Sequence, residues 1–218
     1  MKPRGHHILF HRPPRVDVTK LLTRQELATV LADLHRQAER SLSMRLNLVL
    51  FRLAACCGQR VSEIAQFAIG DVRLDGPRPH LRIRHNAAKG GRGRMVPMWW
   101  DAGTLRDLSD WHQRWRDLGA SVAERFLVSL RPGRGTTMFS RHTLRRRFVT
   151  ACKSLGLPRQ RTLTIHHGRH TFISHALAGG LTLAEVRDAA GHANVSITSA
   201  YLHIAVDDEG VGNLFEIR

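Results

Sequence analysis

Ile165-His-His-Gly-Arg-His-Thr-Phe-Ile-Ser-His-Ala-Leu177 is the stretch on which the reading of this chain turns. Its part from about Gly168 to Ala178 reads as a helix. It opens on His166, His167, Arg169 and His170, a dense set of imidazoles around one guanidinium. His166 and His170 have the i,i+4 spacing of a metal-binding pair. The glutamate of the zincin arrangement is absent, however, and no cysteine lies nearby, so a metal site is not expected.

Working outward, further helices are expected at Thr182–Ala190 and around Ser196–Leu202. Upstream, Thr143–Leu155 is a strong helix with Leu144, Phe148, Ala151, Cys152 and Leu155 on one face. Arg145, Arg146, Arg147 and Lys153 lie largely on the other, and Gly156-Leu-Pro158 stops it. Thr104–Leu118 is amphipathic, with Leu108, Trp111, Trp115 and Leu118 inward. The two tryptophans read as core anchors rather than base-stacking platforms. Residues 131–136 read as a Gly/Arg loop.

Near the start, Thr23-Arg-Gln-Glu26 is a capping box that opens a helix with Leu27, Val30, Leu31 and Leu34 on its apolar face. A second, buried helix is expected from about Met44 to Cys57, ended by Gly58. A short one follows at Ser62–Phe67. Val72–Leu74, Leu81–Arg84 and Met95–Met98 alternate as strands do, and Lys89-Gly-Gly-Arg-Gly93 is a turn between the last two. The expected fold class is therefore mainly α with a small antiparallel β-sheet.

Composition fixes the partner class. The chain has 218 residues, with 34 Lys+Arg against 18 Asp+Glu and a formal net charge of +16. Such a field draws polyanions, nucleic acid first. No basic amphipathic helix with an aromatic-rich apolar face suggests a membrane surface. No apolar run approaches a membrane span, and the basic N-terminus is too short in apolar residues for a signal peptide. Cys56, Cys57 and Cys152 match neither a disulfide framework nor a zinc spacing and read as buried free thiols in a reducing compartment.

One ordered series remains: Arg60, Lys89, His166, Arg169, His192, Tyr201. Tyr201 is the only tyrosine of the chain. Singly, each member has an ordinary reading. Arg60 could form a surface salt bridge with Glu63, Lys89 could sit in a solvated turn, His192 could cap a helix, and Tyr201 could be core. Together they supply two guanidiniums, an amine, two imidazoles and one phenol, which is what phosphodiester cleavage by a tyrosine nucleophile needs.

The residues 165–177 resemble the HxxR box of the tyrosine recombinases, the phage integrase family. Gly191-His192, with Tyr201 following in Ser196-Ile-Thr-Ser-Ala-Tyr-Leu-His203, resembles that family's histidine and nucleophile boxes. Cys57-Gly-Gln-Arg-Val-Ser-Glu-Ile64 is similar to its first arginine box, and Ala88-Lys-Gly-Gly-Arg-Gly-Arg-Met-Val-Pro97 to its lysine-bearing hairpin. The resemblance runs from about Leu22 to His203. It implies the recombinase catalytic-domain fold and a site-specific enzyme that cuts and rejoins duplex DNA through a 3′-phosphotyrosyl link.

The resemblance also implies the roles. Tyr201 attacks phosphorus and His166 accepts its proton. Arg60 and Arg169 fork onto the non-bridging oxygens, Lys89 protonates the departing 5′ oxygen, and His192 donates a hydrogen bond to the phosphate. Arg92, Arg94, Arg145, Arg146 and Arg147 are expected to contact DNA. No metal or other cofactor is expected. The expected partner is duplex DNA with repeat sites, bound by two protomers per site and four per synapse, in the bacterial cytoplasm at the nucleoid and without a membrane. The alternatives are a type IB topoisomerase and a DNA-binding regulator that has lost catalysis.

Two features depart from the usual pattern. Gly168 stands where the family usually has leucine, which is expected to loosen the start of that helix. Many members carry a further N-terminal domain that clamps the other face of the DNA. Here residues 1–18 read as a basic arm, 19–203 as the catalytic domain and 204–218 as a tail that packs on a neighbouring protomer or on its own domain. The chain therefore reads as a minimal stand-alone recombinase, similar in size to the fimbrial invertases, or as a catalytic fragment.

Overall fold

A computed structural model describes residues 16–85, 93–129 and 137–202. Lys89, Arg92, the 131–136 loop, most of the basic arm and the tail from 204 lie outside the described residues.

The first helix, α1 (Arg24–Ala38), begins as the capping box dictates. Thr23 Oγ1 accepts from the Glu26 amide at 3.1 Å, and Glu26 Oε2 accepts from the Thr23 amide at 2.9 Å. Its face of Leu27, Val30, Leu31 and Leu34 is buried. α2 (Leu42–Phe51) runs through the centre of the molecule, and every residue from Leu46 to Phe51 is buried. Where continuous α-helix to Cys57 was expected, residues Arg52–Cys56 form a π turn, with the Cys57 amide donating to Arg52 O at 3.0 Å. That wider turn accompanies a buried cation. Arg52 donates to Asp107 at 2.7 Å and to Asp101 at 3.2 Å, and Asp107 also accepts from His35 Nε2 at 2.8 Å. Gly58, at φ +62°, ends the segment, as expected.

The short helix α3 (Val61–Gln66) leads into a three-stranded antiparallel sheet, β1 (Val72–Arg73), β2 (His80–Ile83) and β3 (Arg94–Pro97), in the order β1-β2-β3. Leu81 pairs with Val72 on one side and Val96 on the other, and all three are buried. α4 (Ala102–Asp117) buries Leu108, Trp111 and Trp115. Both indoles donate to Phe126 O, at 2.8 and 3.1 Å, so they anchor the core as expected. Leu118, expected inward, is instead 66% exposed, because the helix ends before it. A two-residue pair, β4 (Val128–Ser129) and β5 (Thr137–Met138), was not foreseen.

Five helices complete the chain: α5 (Arg141–Ala151), α6 (Leu157–Thr162), α7 (Ile165–Ala178), α8 (Leu183–Ala190) and α9 (Val195–Ser199). α6 was not expected, since the proline at 158 read as a stop. It occupies the first turn of α6, where its missing amide costs nothing. α7 starts three residues earlier than the sequence suggests because His167 Nδ1 accepts from the Thr164 amide at 3.1 Å and closes the end. α9 is shorter than expected, leaving Tyr201 in the turn beyond it.

Gly168 explains how α7 meets the core. A Cβ there would lie 3.1–3.2 Å from the backbone of Ala54 in the π turn and 3.2 Å from the Phe148 ring. The glycine is thus a close-packing position and not a loose start. The three cysteines are free and buried, and burial pushes Cys56 and Cys152 up to about 12. Among the described residues no helix is long and apolar enough to cross a membrane.

Candidate active site

Arg60, Arg169 and His192 come from three places in the chain and meet at one turn, between α8 and α9, with Tyr201 in the turn beyond α9. Thr182 and Glu185 cap the start of α8 reciprocally. Gly191 ends it at φ +66°, a conformation that leaves the Ala190 and Gly191 carbonyls pointing toward the arginines.

Arg60 stands at the N-terminus of α3. Its Nη1 donates to Glu63 Oε1 at 2.9 Å and its Nη2 to Gly191 O at 2.9 Å. Arg169, on the buried side of α7, donates from Nη1 to Gly58 O at 2.6 Å and from Nη2 to Ala190 O. The two arginines therefore share one turn as acceptor. Burial pushes Arg169 down to about 9, and the neighbouring charges of Arg60 and Arg94 push the same way. Two guanidiniums this close repel each other until an anion arrives, so the arrangement suits a phosphate-sized oxyanion.

Glu63 holds the pair in place. Its side chain is fully buried, and it accepts from Arg60 and, through two bonds of 2.8 Å, from Arg94. Burial alone would raise its carboxyl, but the Arg94 hydrogen bonds and charge, with those of Arg60, keep it below the ordinary value. Arg94 Nε donates in addition to Ala189 O at 2.8 Å. The expectation that Arg94 faces DNA is thus corrected: its side chain is 8% exposed and every guanidinium nitrogen is bonded inward.

His192 follows Gly191 and pairs through Nδ1 with Thr198 Oγ1 at 2.9 Å. Burial, then the charges of Arg169, Arg60, Arg94 and His170, push it down to about 4, so it is neutral at pH 7. Tyr201 is 5% exposed. Burial raises its phenol above the ordinary value, and the Arg169 charge pulls it partly back. Its Oη hydrogen-bonds Nδ1 of His170.

The imidazoles of the first box therefore separate. His167 caps α7, and His170 meets Tyr201. His166 is exposed at the mouth of an open groove of about 560 Å³ shared with His142, Arg145, Arg146, Val149 and Thr164. Partial desolvation, then Arg145, Arg169 and Arg60, lower its affinity for a proton. Arg145 and Arg146 are exposed on the groove wall. Arg147 is turned elsewhere, donating to Asn47 Oδ1 at 2.7 Å and stacking over Phe139 at 4.9 Å. It ties α5 to α2 rather than facing the groove.

Sequence reasoning named Arg60, Lys89, His166, Arg169, His192 and Tyr201; the turn gathers Arg60, Arg169 and His192, the Arg169 charge acts on Tyr201, His166 opens onto the groove, and Lys89 lies outside the described residues. It missed the bracing role of Glu63 with Arg94, the contact of His170 and the support from Thr198. Only the three-residue spacing from Arg60 to Glu63 hinted at the first. The others depend on which side chains the turn at 190–192 brings together.

The chain is similar to known proteins over most of its length. The chain is 31% identical to tyrosine recombinase XerC of Rhizobium meliloti (strain 1021) over 83% of its own length and 52% of the relative's. It is 31% identical to tyrosine recombinase XerD of Ralstonia nicotianae (strain ATCC BAA-1114 / GMI1000), over 89% and 58%. It spans about half the length of such relatives. In fold it is similar to the XerH site-specific recombinase bound to its difH substrate in the pre-cleavage complex. The TM-score is 0.66 at 23% identity, covering 93% of this chain and 54% of that one. It is also similar to a lambda integrase dimer bound to a COC′ core site, with a TM-score of 0.62 at 21% identity and 94% and 67% covered. The phage integrase family profile matches residues 20–207, a span that takes in the whole constellation, and the chain belongs to the phage integrase family.

Proposed function

We propose that this protein is a site-specific tyrosine recombinase that cleaves and rejoins duplex DNA through a 3′-phosphotyrosyl intermediate. The observation that carries the reading is the convergence of Arg60, Arg169 and His192 on the turn that follows α8, with the Arg169 charge acting on Tyr201. The scissile phosphate takes the position between the two guanidiniums, exchanging the Gly191 and Ala190 carbonyls for its own non-bridging oxygens. Charge grows on those oxygens in the transition state, and losing one such contact costs about 10²–10³-fold in rate.

Tyr201 is the nucleophile. A free phenol has a pKa of about 10, so only about one in a thousand is ionised at pH 7, and it needs a proton acceptor. His166, the histidine that the three-residue spacing to Arg169 selects, accepts the proton. His192 donates to the phosphate and Lys89 protonates the departing 5′ oxygen. The covalent link stores the bond energy for rejoining. Arg92, Arg145 and Arg146 contact the flanking backbone. The partner is duplex DNA carrying repeat sites, with two protomers per site and four per synapse, in the bacterial cytoplasm at the nucleoid. Support comes from the fold likeness to a lambda integrase dimer on a core site and to a lambda integrase tetramer bound to a Holliday junction.

Covalent trapping tests the reading. Nicked duplexes drawn from DNA flanking the gene are incubated with the protein and examined for an SDS-resistant adduct. The adduct is expected with the wild-type chain and lost in Tyr201→Phe. A Tyr201→Phe variant that still forms the adduct, or a wild-type chain that binds these duplexes and forms none, overturns it.

A further inference from the structure

The helix that carries Arg169 is held from behind. Just before α1 the chain makes one 3₁₀ turn, Val18–Lys20, and then runs through Leu21 and the fully buried Leu22. Residues 17–22 lie as a strap against α7. The Leu22 amide donates to Thr171 Oγ1 at 3.0 Å, and His175 Nε2 donates to Leu22 O at 2.7 Å. Both backbone groups of Leu22 thus bind side chains of α7, 149 and 153 residues away in the chain. The Thr171 hydroxyl donates its own proton to His167 O at 2.8 Å. Arg159 of α6 fastens the strap at a second point. It donates to Glu26 through Nε at 2.6 Å and Nη2 at 3.0 Å, and its guanidinium also donates to Thr19 O and Leu21 O.

Helix geometry connects the strap with the site. His167, Thr171 and His175 are spaced by four residues and form one stripe along α7. Thr171 lies two residues after Arg169, and at about 100° per residue the two side chains leave the helix on nearly opposite faces. One face meets the strap. The other sends Arg169 to Gly58 O at 2.6 Å and to Ala190 O. His170, which hydrogen-bonds the Tyr201 hydroxyl, lies between them in the chain. Burial lowers the proton affinity of His167 and His170, and the Lys20 charge of the strap adds to that in both. α7 is therefore seated between the strap and the turn at 190–192. A sideways shift of the helix is felt at the guanidinium contacts and at the phenol, because close-packed interiors transmit displacement.

We infer that Thr171 and His175 are positioning residues, through which the strap 17–22 sets the seating of α7 and with it the reach of Arg169 and the placing of Tyr201. Neither residue contacts the phosphate in the reaction proposed above, and the effect on rate rests on that reaction. The strap continues directly from residues 1–15, so DNA engaged by that basic stretch is linked to α7 through these two side chains.

The test uses matched pairs of variants in the full chain. Thr171→Val keeps the shape and loses the hydroxyl, whereas Thr171→Ser keeps the hydroxyl. His175→Leu and His175→Gln make the same comparison at the second bond, since glutamine keeps an N–H donor. Unfolding curves first set a temperature at which all four variants are folded, because a buried amide or carbonyl left without a partner costs stability in any case. Single-turnover adduct formation is then followed on the nicked duplex at saturating DNA. Misplacing reacting groups by about 1 Å costs about 10²-fold, so Thr171→Val and His175→Leu are expected to slow by about 10–10²-fold with little change in DNA affinity. Thr171→Ser and His175→Gln should restore most of the rate. A loss in Thr171→Val that Thr171→Ser shares in full overturns the inference, as does a wild-type rate in folded Thr171→Val.

A readout without DNA keeps this inference separate from the recombinase reading. Tyr201 is the sole tyrosine, so tyrosinate ultraviolet absorbance titrates it alone. Burial holds its phenol above the ordinary value of about 10. In Thr171→Val and His175→Leu the midpoint should fall toward that value as α7 shifts and His170 leaves the hydroxyl. In Thr171→Ser and His175→Gln it should stay in place. Folded Thr171→Val and His175→Leu proteins that lose unfolding free energy but keep the wild-type midpoint would show a purely structural tie and overturn the inference, whether or not the wild-type chain forms a DNA adduct.

Discussion

Arg94 and Glu63 form a bidentate pair, two hydrogen bonds of 2.8 Å between a nearly buried guanidinium and a wholly buried carboxylate. The same carboxylate holds Arg60, and Arg94 also reaches the last turn of α8. One acidic side chain thus links the first arginine box, β3 and the turn that carries His192. Replacing Glu63 by glutamine leaves Arg94 without its counter-charge inside the protein. Breaking a buried pair by removing one partner costs about 3–5 kcal/mol. Denaturant unfolding of Glu63→Gln should show a loss of that order, and a loss below about 1 kcal/mol would contradict the bracing role.

Gly168 is the second place where a local rule yields to packing. A helix normally gains about 1 kcal/mol when glycine becomes alanine. Here the new Cβ would press on the Ala54 backbone at 3.1–3.2 Å, and backbone cannot step aside as a side-chain tip can. Overpacking of this kind costs about 1–3 kcal/mol. Gly168→Ala should therefore be less stable than wild type, by up to about 2 kcal/mol after the propensity gain, and Gly168→Leu less stable still. Thermal unfolding of the two variants checks the order.

Helices whose ends carry a capping box, at Thr23 and Thr182, could be read because the signal is local. The π turn at Arg52–Cys56 could not, because its partners Asp101 and Asp107 lie some fifty residues away in the chain. The site divides along the same line. Arg60, Arg169, His192 and Tyr201 stood out by type, order and spacing. Arg94 and Arg147 look like any basic residue in a basic chain, and only tertiary contact shows that each is bonded inward. His170 was obscured by its neighbours, since three histidines in five positions do not say which one the tyrosine meets.

The site should make stability fall in mild acid. His170 and His192 are both held near 4, against an ordinary value of 6.5. Their imidazoles stay neutral in the folded protein while those of the unfolded chain protonate below about 6.5. Between these limits the unfolded state binds more protons, so stability rises with pH through that window and is lost as pH falls from 6.5 toward 4. Unfolding free energy measured across the window should show this slope, and His192→Asn should reduce it. A wild-type curve flat between pH 6.5 and 4 would mean these histidines are not buried neutral.

Arginines on one helix should separate by their response to salt. Arg145 and Arg146 are exposed on the groove that His166 enters, whereas Arg147 is engaged by Asn47, Ser43 and the Phe139 ring. Each phosphate contact contributes about −0.9 to the slope of log affinity against log salt on duplex DNA. Arg145→Ala and Arg146→Ala should each make the slope shallower by about that amount, with little change in unfolding free energy. Arg147→Ala should leave the slope as it is and cost about 1–3 kcal/mol of stability, because it cuts a charged hydrogen bond between α5 and α2. Binding isotherms at several salt concentrations, run beside denaturation curves of the same three proteins, give both quantities. A shallower slope in Arg147→Ala with unchanged stability would put that side chain on the DNA and not in the helix contact.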